Sequence, residues 1–303
     1  MFSACMISTK VYDQITHCFK NAAHILCDAD GNIALTAGKL FRNRGDLLEA
    51  IPMYELYLEK QEKLESKDYT TLANALYEVG CINLFKAITS KEAQRETYLE
   101  TGKAMLSRAL AYQEKYLDRG SRELAHTRMT LAQLCYETHD LKTADAICEL
   151  AIKEQLAVLP LDHYDLGVTY LEAAMLHRGR FAERKRRQEY AEKALAILEQ
   201  HGARDKSLAD VYCVLQGCLP VYDYDGRIRF EQMALEIYEK YYPNHKWWRY
   251  SSHTFLAHLE GKRGNTQGQV QNLNDALQIL LEMLPPEHPL IMNLKDELER
   301  AGK

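Results

Sequence analysis

Residues 194–197 read Ala-Leu-Ala-Ile, and this short pattern returns along the chain at a nearly constant interval. Related copies begin at Ala109, Ala151, Ala234 and Ala276, so successive copies lie 42, 43, 40 and 42 residues apart. Proline stands nine residues after the alanine in three of the copies, at Pro160, Pro243 and Pro285. The agreement of these two marks indicates an internal repeat of about 42 residues.

A further copy lies upstream and indicates an insertion. Tyr57 and Leu58 are followed by Gln-Glu-Lys at residues 61–63, and the copy at Ala109 is followed by the same three residues at 113–115. Tyr57 lies 52 residues before Ala109, so we expect about ten extra residues within 81–100. The second repeat is therefore predicted to have longer helices than the others.

Each repeat contains two stretches in which apolar residues recur with helical periodicity, separated by a turn signal. This pattern predicts two antiparallel helices per repeat. Proline then ends the second helix, because it cannot continue the ladder of hydrogen bonds. Small residues occur where the two helix backbones must approach each other, at Gly38, Gly80, Ala132 and Ala257 in first helices and at Ala50, Gly102 and Ala144 in second helices.

The overall composition agrees with a helical chain. Hydrophobic residues make up 47% of the 303 residues, with only 15 Gly and 7 Pro. This balance excludes a disordered or collagen-like chain and argues against a β-sandwich with many hairpins. The formal net charge of −5 provides no global basic field for nucleic acid or an anionic membrane. We therefore expect an all-α protein.

The spaced small residues, the Gly-containing turn and the terminal proline resemble the tetratricopeptide repeat (TPR) family. The period of about 42 residues and the closing Pro-Pro-Glu-His-Pro at 285–289 are most similar to the kinesin light chain subgroup. The resemblance covers about residues 29–288 and implies a right-handed superhelical solenoid of about six helix-turn-helix repeats. The last 90 residues or so also resemble the helical C-terminal region of SET-and-MYND-domain lysine methyltransferases. No part matches their catalytic domain, so methyltransferase activity is not implied.

The repeat count predicts one elongated array, whereas length alone suggests two domains. A helix within residues 1–28 would cap the first repeat, and a helix within 289–303 would cap the last one. The six repeats of the 29–288 array are expected at 29–67, 68–120, 121–162, 163–205, 206–245 and 246–288.

The concave surface of such a solenoid is lined by the first helix of every repeat, and it is the expected binding groove for a protein or peptide partner. Polar and aromatic side chains there can hydrogen-bond an extended peptide and supply contact area. The inward-facing positions of the family correspond here to Asn32, Lys39, Arg42, Asn74, Tyr77, His126, Met129, Gln133, Tyr136, Thr169, Thr254 and His258. The alternative is that these side chains are solvated groups on an exposed helix face.

Two recognition patterns of the family are missing from this sequence. Chaperone-binding members clamp a C-terminal carboxylate with Lys and Asn on one helix and Asn on the next, and Leu35, Lys39 and Glu78 occupy those places here. The asparagines that kinesin light chains repeat along their first helices are missing from repeats three to six. The sequence therefore gives no support to either kind of partner.

The strongest local charge lies within residues 177–189. Its candidate basic patch comprises Arg178, Arg180, Arg184, Lys185, Arg186 and Arg187. Such a run could dock an acidic peptide or nucleic acid, or serve as a nuclear import signal. We favour the alternative of a solvated helix face balanced by Glu183, Glu189 and Glu192. Because no matching basic stripe occurs elsewhere, nucleic acid is not an expected partner.

No Gly-rich phosphate loop, G-x-S-x-G elbow or H-E-x-x-H helix occurs in the chain. We therefore predict no catalytic residue, cofactor or metal, and expect a non-catalytic interaction scaffold or adaptor. One alternative is a regulatory or recruiting module that acts beside an enzyme or motor. Another is a regulator that binds a signal peptide or nucleic acid through residues 178–187. Trp247 and Trp248 are expected to pack between repeats, with contact to a partner as the alternative.

The start of the chain, MFSACMISTK, lacks the layout of a signal peptide. No run approaches the roughly 18 apolar residues of a membrane span. Eight cysteines without a C-x-x-C pair favour reduced thiols. We therefore expect a cytoplasmic protein without a membrane span, and nuclear import through Arg184–Arg187 is the alternative.

Overall fold

The computed structural model describes residues 31–44, 47–64, 67–90, 92–177 and 183–302. The described residues form thirteen α-helices and no strand, so the predicted all-α class is confirmed. The chain divides into two compact units, residues 1–155 and 156–303, which are described separately below. The predicted N-terminal capping helix at 1–28 lies outside the described residues, and the single superhelical array stays a prediction.

The first unit contains six helices, the last of which ends three residues beyond the boundary. They are α1 (Asn32–Arg44), α2 (Leu47–Glu62), α3 (Tyr69–Thr89), α4 (Glu92–Tyr116), α5 (Arg122–Glu137) and α6 (Leu141–Val158). Helices α3 and α4 have 21 and 25 residues and are the longest of those described. The extra residues expected within 81–100 therefore lengthen both helices of this pair.

The second unit contains seven helices. They are α7 (Tyr164–Leu176), α8 (Arg184–Gln200), α9 (Lys206–Cys218), α10 (Tyr224–Tyr241), α11 (Lys246–Arg263), α12 (Thr266–Leu281) and α13 (Pro289–Ala301). Two helices fall within each of the six predicted repeat ranges along the chain, and α13 falls within 289–303.

Side-chain caps explain where many of these helices begin. Five N-caps are Asp, Ser or Asn residues whose side-chain oxygen accepts a backbone N–H of the first turn, at Asp68, Ser121, Asp205, Asp223 and Asn265. His163 and His288 use the ring Nδ1 in the same way, accepting the backbone N–H of Asp165 and Leu290 at 3.2 Å. Gly264 ends α11 with a positive φ of 85°, a conformation that glycine adopts without strain.

The repeat pattern that predicts the fold lies at its core. The alanines that open the five downstream copies are 0–1% exposed: Ala109, Ala151, Ala194, Ala234 and Ala276. Close approach of the helices also explains Gly80, because a Cβ atom at this position would lie 2.5 Å from Cγ of the buried Leu106. Helices α3 and α4 therefore pack more closely here than any larger residue allows.

Each unit has its own hydrophobic clusters. In the first unit, one cluster joins α1 to α4 around Phe41, Tyr54 and Leu76, and a second joins α3 to α5 around Leu106 and Leu134. In the second unit, one cluster joins α10 to α11, and another joins α11, α12 and α13. Ile291 and Leu294 of α13 are buried in this last cluster, so α13 covers apolar residues of its neighbours.

Candidate functional site

A pocket in the first unit gathers side chains from five successive helices. We call this cavity of about 290 Å³ the central pocket. Its lining residues are Leu35, Lys39, Tyr54, Asn74, Ala75, Tyr77, Glu78, Gln113, Glu123, His126 and Thr127. A second pocket of about 590 Å³ shares Leu35 and Lys39 with it and extends along α1 to Asn32.

Five of the predicted groove residues line these two pockets. They are Asn32, Lys39, Asn74, Tyr77 and His126, and they come from α1, α3 and α5. Those helices are the first members of three successive pairs, and five of the nine groove positions predicted in this unit therefore line these pockets.

The negative charge of Glu78, which lines the central pocket, is neutralised by an ion pair within the protein. The guanidinium of Arg42 on α1 forms an ion pair with the carboxylate of Glu78 on α3. Although burial lowers the pKa of Arg42, the charge and hydrogen bond of Glu78 outweigh it and raise this pKa overall. Arg42 was predicted to meet a partner, but its charge is already engaged by Glu78.

Three other polar residues around the pocket remain available. Lys39, Asn74 and Glu123 have exposed side chains. Among the described residues, none of the three has a hydrogen-bond or ion-pair partner from its side chain. The pocket therefore presents one cation, one carboxamide and one carboxylate to a ligand.

Tyr77 and His126 both line the central pocket, and Cys81 lies beside Tyr77. The ring centroids of Tyr77 and His126 lie 5.3 Å apart, and the Tyr77 hydroxyl lies 3.4 Å from the Thr130 hydroxyl. Burial raises the pKa of the neighbouring Cys81 thiol to about 12, although hydrogen bonds with Tyr77 and Thr130 oppose this shift. Cys81 is therefore a neutral thiol near pH 7 and a weak nucleophile.

The lining of the pocket also holds buried polar groups that sequence reasoning missed. Tyr54, Gln113 and Thr127 are 0%, 2% and 1% exposed. The Tyr54 hydroxyl, the Gln113 Oε1 atom and the Thr127 hydroxyl have no hydrogen-bond partner in the described part of the chain. Tyr54 and Gln113 lie on second helices, whereas the prediction considered first helices. The recurrence of Gln at 61 and 113 was the signal that could have located Gln113.

Solved structures of similar architecture cover most of the chain. A Rap protein complexed with Competence and Sporulation Factor has 15% identity and a TM-score of 0.59 over 90% of this chain and 76% of that one. BtubC (BKLC) from P. vanneervenii has 15% identity and a TM-score of 0.52 over 75% and 88%. Nearly identical TPR-like repeats of kinesin light chain type from Podosopora anserina have 16% identity and a TM-score of 0.50 over 72% and 98%. The chain has the TPR-like repeat fold.

Neither a protein-family model nor a curated protein sequence matches this TPR-like chain. The resemblance of its last 90 residues to the SET-and-MYND-domain proteins stays a sequence-based expectation.

In the described ranges, no helix combines the length and apolar character needed to cross a membrane. Within the same ranges, no group of three or more His, Cys, Asp or Glu side chains could hold a metal ion.

Two predicted groove residues are wrong because their side chains are buried in the helix packing and line neither of the two pockets. Met129 is 5% exposed and Thr169 is 3% exposed. Met129 lies on α5, where nine of the sixteen residues are buried, because neighbouring helices cover more than one face. Thr169 lies on α7, where Leu166, Tyr170 and Ala173 are buried beside it.

The other predicted groove residues do not line the central pocket. On α5 of the first unit, Gln133 is exposed and Tyr136 is half-buried. On α11 of the second unit, His258 is exposed, and the half-buried Thr254 donates a hydrogen bond to the backbone carbonyl of Ser251 at 2.9 Å. Their role in binding a partner stays a prediction.

The candidate basic patch is not a free run of positive charge, and the favoured alternative of a solvated helix face is wrong for Arg187. Arg187 is buried and donates from Nη2 to the Val214 carbonyl at 3.2 Å. Arg184 donates from Nε to the Cys218 carbonyl at 2.6 Å, so both side chains fasten α8 to the end of α9. Arg186 lies 4.0 Å from Glu183 and over the Tyr190 ring. Lys185 is exposed, and Arg178 and Arg180 lie outside the described residues.

The two tryptophans of the second unit differ in environment. Trp248 is half-buried among Tyr238, Tyr242 and His245, and its ring stacks on His245 at 4.2 Å between centroids. The expected packing role therefore holds for Trp248. Trp247 is 50% exposed, so the packing prediction is wrong for this residue.

Proposed function

We propose that this TPR-like chain is a non-catalytic scaffold that binds a peptide segment of a protein partner in the central pocket. The observation that carries this proposal is the pocket itself, in which α1, α3 and α5 direct polar residues toward one cavity. A volume of about 290 Å³, continued by about 590 Å³ along α1, is suitable for several side chains of a peptide.

The available side chains suit the backbone of an extended peptide. The Asn74 carboxamide offers both donors and acceptors, so it can pair with one peptide unit of the ligand. Lys39 supplies a positive charge within the same cavity, and Glu123 supplies a negative one. Because the side chains of all three have no partner among the described residues, binding would not first have to break an ion pair.

The similar structures support this proposal by analogy. The Rap structure is a complex with Competence and Sporulation Factor, which shows that a protein of this fold holds a bound partner. Nucleophilic catalysis by the neighbouring Cys81 is not favoured, because burial raises the pKa of its thiol to about 12 and keeps it protonated near pH 7. Nucleic-acid binding through residues 178–187 has lost its main support, since Arg184 and Arg187 bind backbone carbonyls.

The proposal can be tested with a phage-displayed library of random peptides, selected on the full chain. Peptides that are enriched would be synthesised with a fluorescent label, and their affinity measured by anisotropy. We expect Lys39→Glu and Asn74→Ala each to weaken binding about tenfold, because each removes a contact worth roughly 1.4 kcal/mol.

The matched control is Lys153→Glu, which makes the same charge reversal at an exposed position of α6 outside the pocket. This variant should bind the peptides as the unmodified chain does. Equal affinity for all four proteins, or equal losses at Lys39 and Lys153, would contradict the proposed site.

A further inference from the structure

Three polar atoms around the central pocket are buried without a partner, and this arrangement calls for a ligand. They are the Tyr54 hydroxyl, Gln113 Oε1 and the Thr127 hydroxyl. Folded proteins pair nearly all their buried polar groups, because an unpaired one is destabilising. Three such groups from three different helices around one cavity indicate a site that a polar ligand completes.

The glutamine of this set recurs with the repeat. Gln61, Gln113 and Gln155 each lie four residues after the start of a copy of the repeat pattern. All three side chains are buried, with 4%, 2% and 0% exposure. Gln61 lines the second pocket as Gln113 lines the central one. A buried carboxamide is therefore a regular feature of the first unit.

The charges of the central pocket select against a charged ligand group. Arg42 and Glu78 neutralise each other, which leaves Lys39 and Glu123 with opposite charges. A charged group that enters the pocket would lose its hydration without an excess of opposite charge to compensate it. An uncharged polar group loses less, provided that it can form hydrogen bonds.

The hydrogen-bond donors and acceptors of the pocket further restrict which chemical group of a ligand can bind. Burial, reinforced by the negative charge of Glu78, raises the pKa of Tyr54, so its hydroxyl stays a donor at neutral pH. Gln113 Oε1 is an acceptor, and the hydroxyls of Tyr54 and Thr127 each donate one hydrogen. The matching ligand needs N–H donors and a carbonyl acceptor on the same small group.

We infer that the central pocket binds the side-chain carboxamide of an asparagine or glutamine in the partner peptide, an inference that rests on the proposed function. The ligand NH₂ group would donate to Gln113 Oε1, and its carbonyl oxygen would accept from Tyr54 or Thr127. A ligand carboxylate would place its acceptor oxygens next to Gln113 Oε1, which is also an acceptor, so no hydrogen bond would form. An ammonium has no acceptor for the hydroxyl hydrogens, and an aliphatic side chain leaves all three atoms unpaired.

The test uses the labelled peptides from the random library. We expect the enriched sequences to share Asn or Gln at one position. Replacing that residue of the peptide by its acid, or by Leu, should weaken binding to the unmodified chain at least tenfold, because a site built for hydrogen bonds rejects a ligand that leaves them unmade. Tyr54→Phe and Thr127→Val should bind the carboxamide peptide more weakly and reduce its preference over the Leu peptide.

Thermal melting separates this inference from a structural role of the two hydroxyls. Both variants keep the shape of the side chain and remove a hydroxyl without a protein partner, so their melting midpoints should equal or exceed that of the unmodified chain. A clearly lower midpoint would show that the hydroxyls maintain the fold, and would overturn the inference.

The outcomes also distinguish this inference from the proposed function. Peptides that depend on Lys39 and Asn74 but accept Leu or an acid in place of the carboxamide would disprove the carboxamide site and leave the scaffold proposal intact. Unchanged selectivity in both Tyr54→Phe and Thr127→Val would do the same. Enriched peptides that depend on neither Lys39 nor Asn74 would contradict the proposed function itself.

Discussion

Arg42 and Glu78 join the first helices of two successive pairs, because the Nε atom of Arg42 on α1 donates to the Oε2 atom of Glu78 on α3. The Arg42 side chain is 43% exposed and that of Glu78 is 22% exposed, so water weakens the attraction between them. We therefore expect a double-mutant cycle with Arg42→Ala and Glu78→Ala to give a coupling free energy of about 0.5–1 kcal/mol in urea unfolding.

The exchange variant Arg42→Glu with Glu78→Arg tests whether the pair acts only within the protein. It should recover most of the stability that Arg42→Glu alone loses, measured by the same urea unfolding. An exchanged protein that is no more stable than Arg42→Glu would show that the ion pair is not the source of the coupling.

Close packing of α3 on α4 at Gly80 gives a second prediction. The Cβ atom of Gly80→Ala would meet Cγ of Leu106 at 2.5 Å and its Cδ2 at 2.7 Å. Because Leu106 is fully buried, it cannot rotate away into solvent. We expect Gly80→Ala to lower the free energy of unfolding by about 1–3 kcal/mol, measured by urea denaturation.

Gly102→Ala on α4 is the control, because it creates a much milder steric conflict than Gly80→Ala. Its new Cβ atom would lie 3.3 Å from Cδ1 of Leu134, a contact that a small shift relieves. The helical preference of alanine over glycine, about 1 kcal/mol, should offset most of that cost. Equal destabilisation by the two variants would show that the contact at Leu106 is not the cause.

Arg187 and Lys185 of the basic segment differ in burial, so substitutions at these two positions can be compared directly. Arg187→Ala removes a buried side chain that donates to the Val214 carbonyl and lies against Gly217. We expect a loss of about 2–3 kcal/mol in the free energy of unfolding, because the carbonyl loses a charged donor and a cavity forms. Lys185→Ala, at an exposed position two residues earlier, should change it by less than about 0.5 kcal/mol.

Guanidinium denaturation would measure both variants. A patch used only for surface binding predicts the opposite pattern, in which neither variant changes stability and both change the affinity for an acidic ligand. That pattern would contradict the anchoring role of Arg187 between α8 and α9.

The helix pairs could be predicted from the sequence because their signal is repeated. Each of the five downstream copies adds another alanine at the same place, and all five alanines are buried. Errors in one copy are therefore outweighed by the others. The same repeat frame assigned Lys39 and Asn74 to inward-facing positions of first helices, and both residues line the central pocket.

The depth of single side chains could not be predicted in this way. Met129 and Arg187 are each one residue in a mixed polar and apolar helix, and periodicity does not say how many neighbours cover it. Arg128 shows the difficulty most clearly, because its side chain is 5% exposed and forms ion pairs with Glu114 of α4, at 3.0 Å, and with Glu154 of α6. Tyr54 and Gln113 were missed for a related reason, since only the packed helices bring them to the pocket.

A buried acid in the second unit gives a prediction for pH. Glu231 on α10 is 6% exposed. Burial raises its pKa above the usual value of 4.5, although a hydrogen bond with Ser252 of α11 opposes this shift. The folded protein therefore holds this proton more tightly than the unfolded chain does. Its contribution to stability is complete below pH 4.5 and is lost as the pH rises through the raised pKa of the folded state.

Glu231→Gln removes the charge and keeps the size of the side chain. Because the raised pKa makes ionisation of Glu231 unfavourable in the folded protein, the variant should gain stability over the unmodified chain as the pH rises from 4.5 to 7, and the difference should be smallest near pH 4.5. Urea denaturation across this range measures both effects, with Glu236→Gln at an exposed position of the same helix as the control. A variant that is less stable at pH 7 would mean that the ionised carboxylate has a stabilising partner, and the raised pKa of Glu231 would then be wrong.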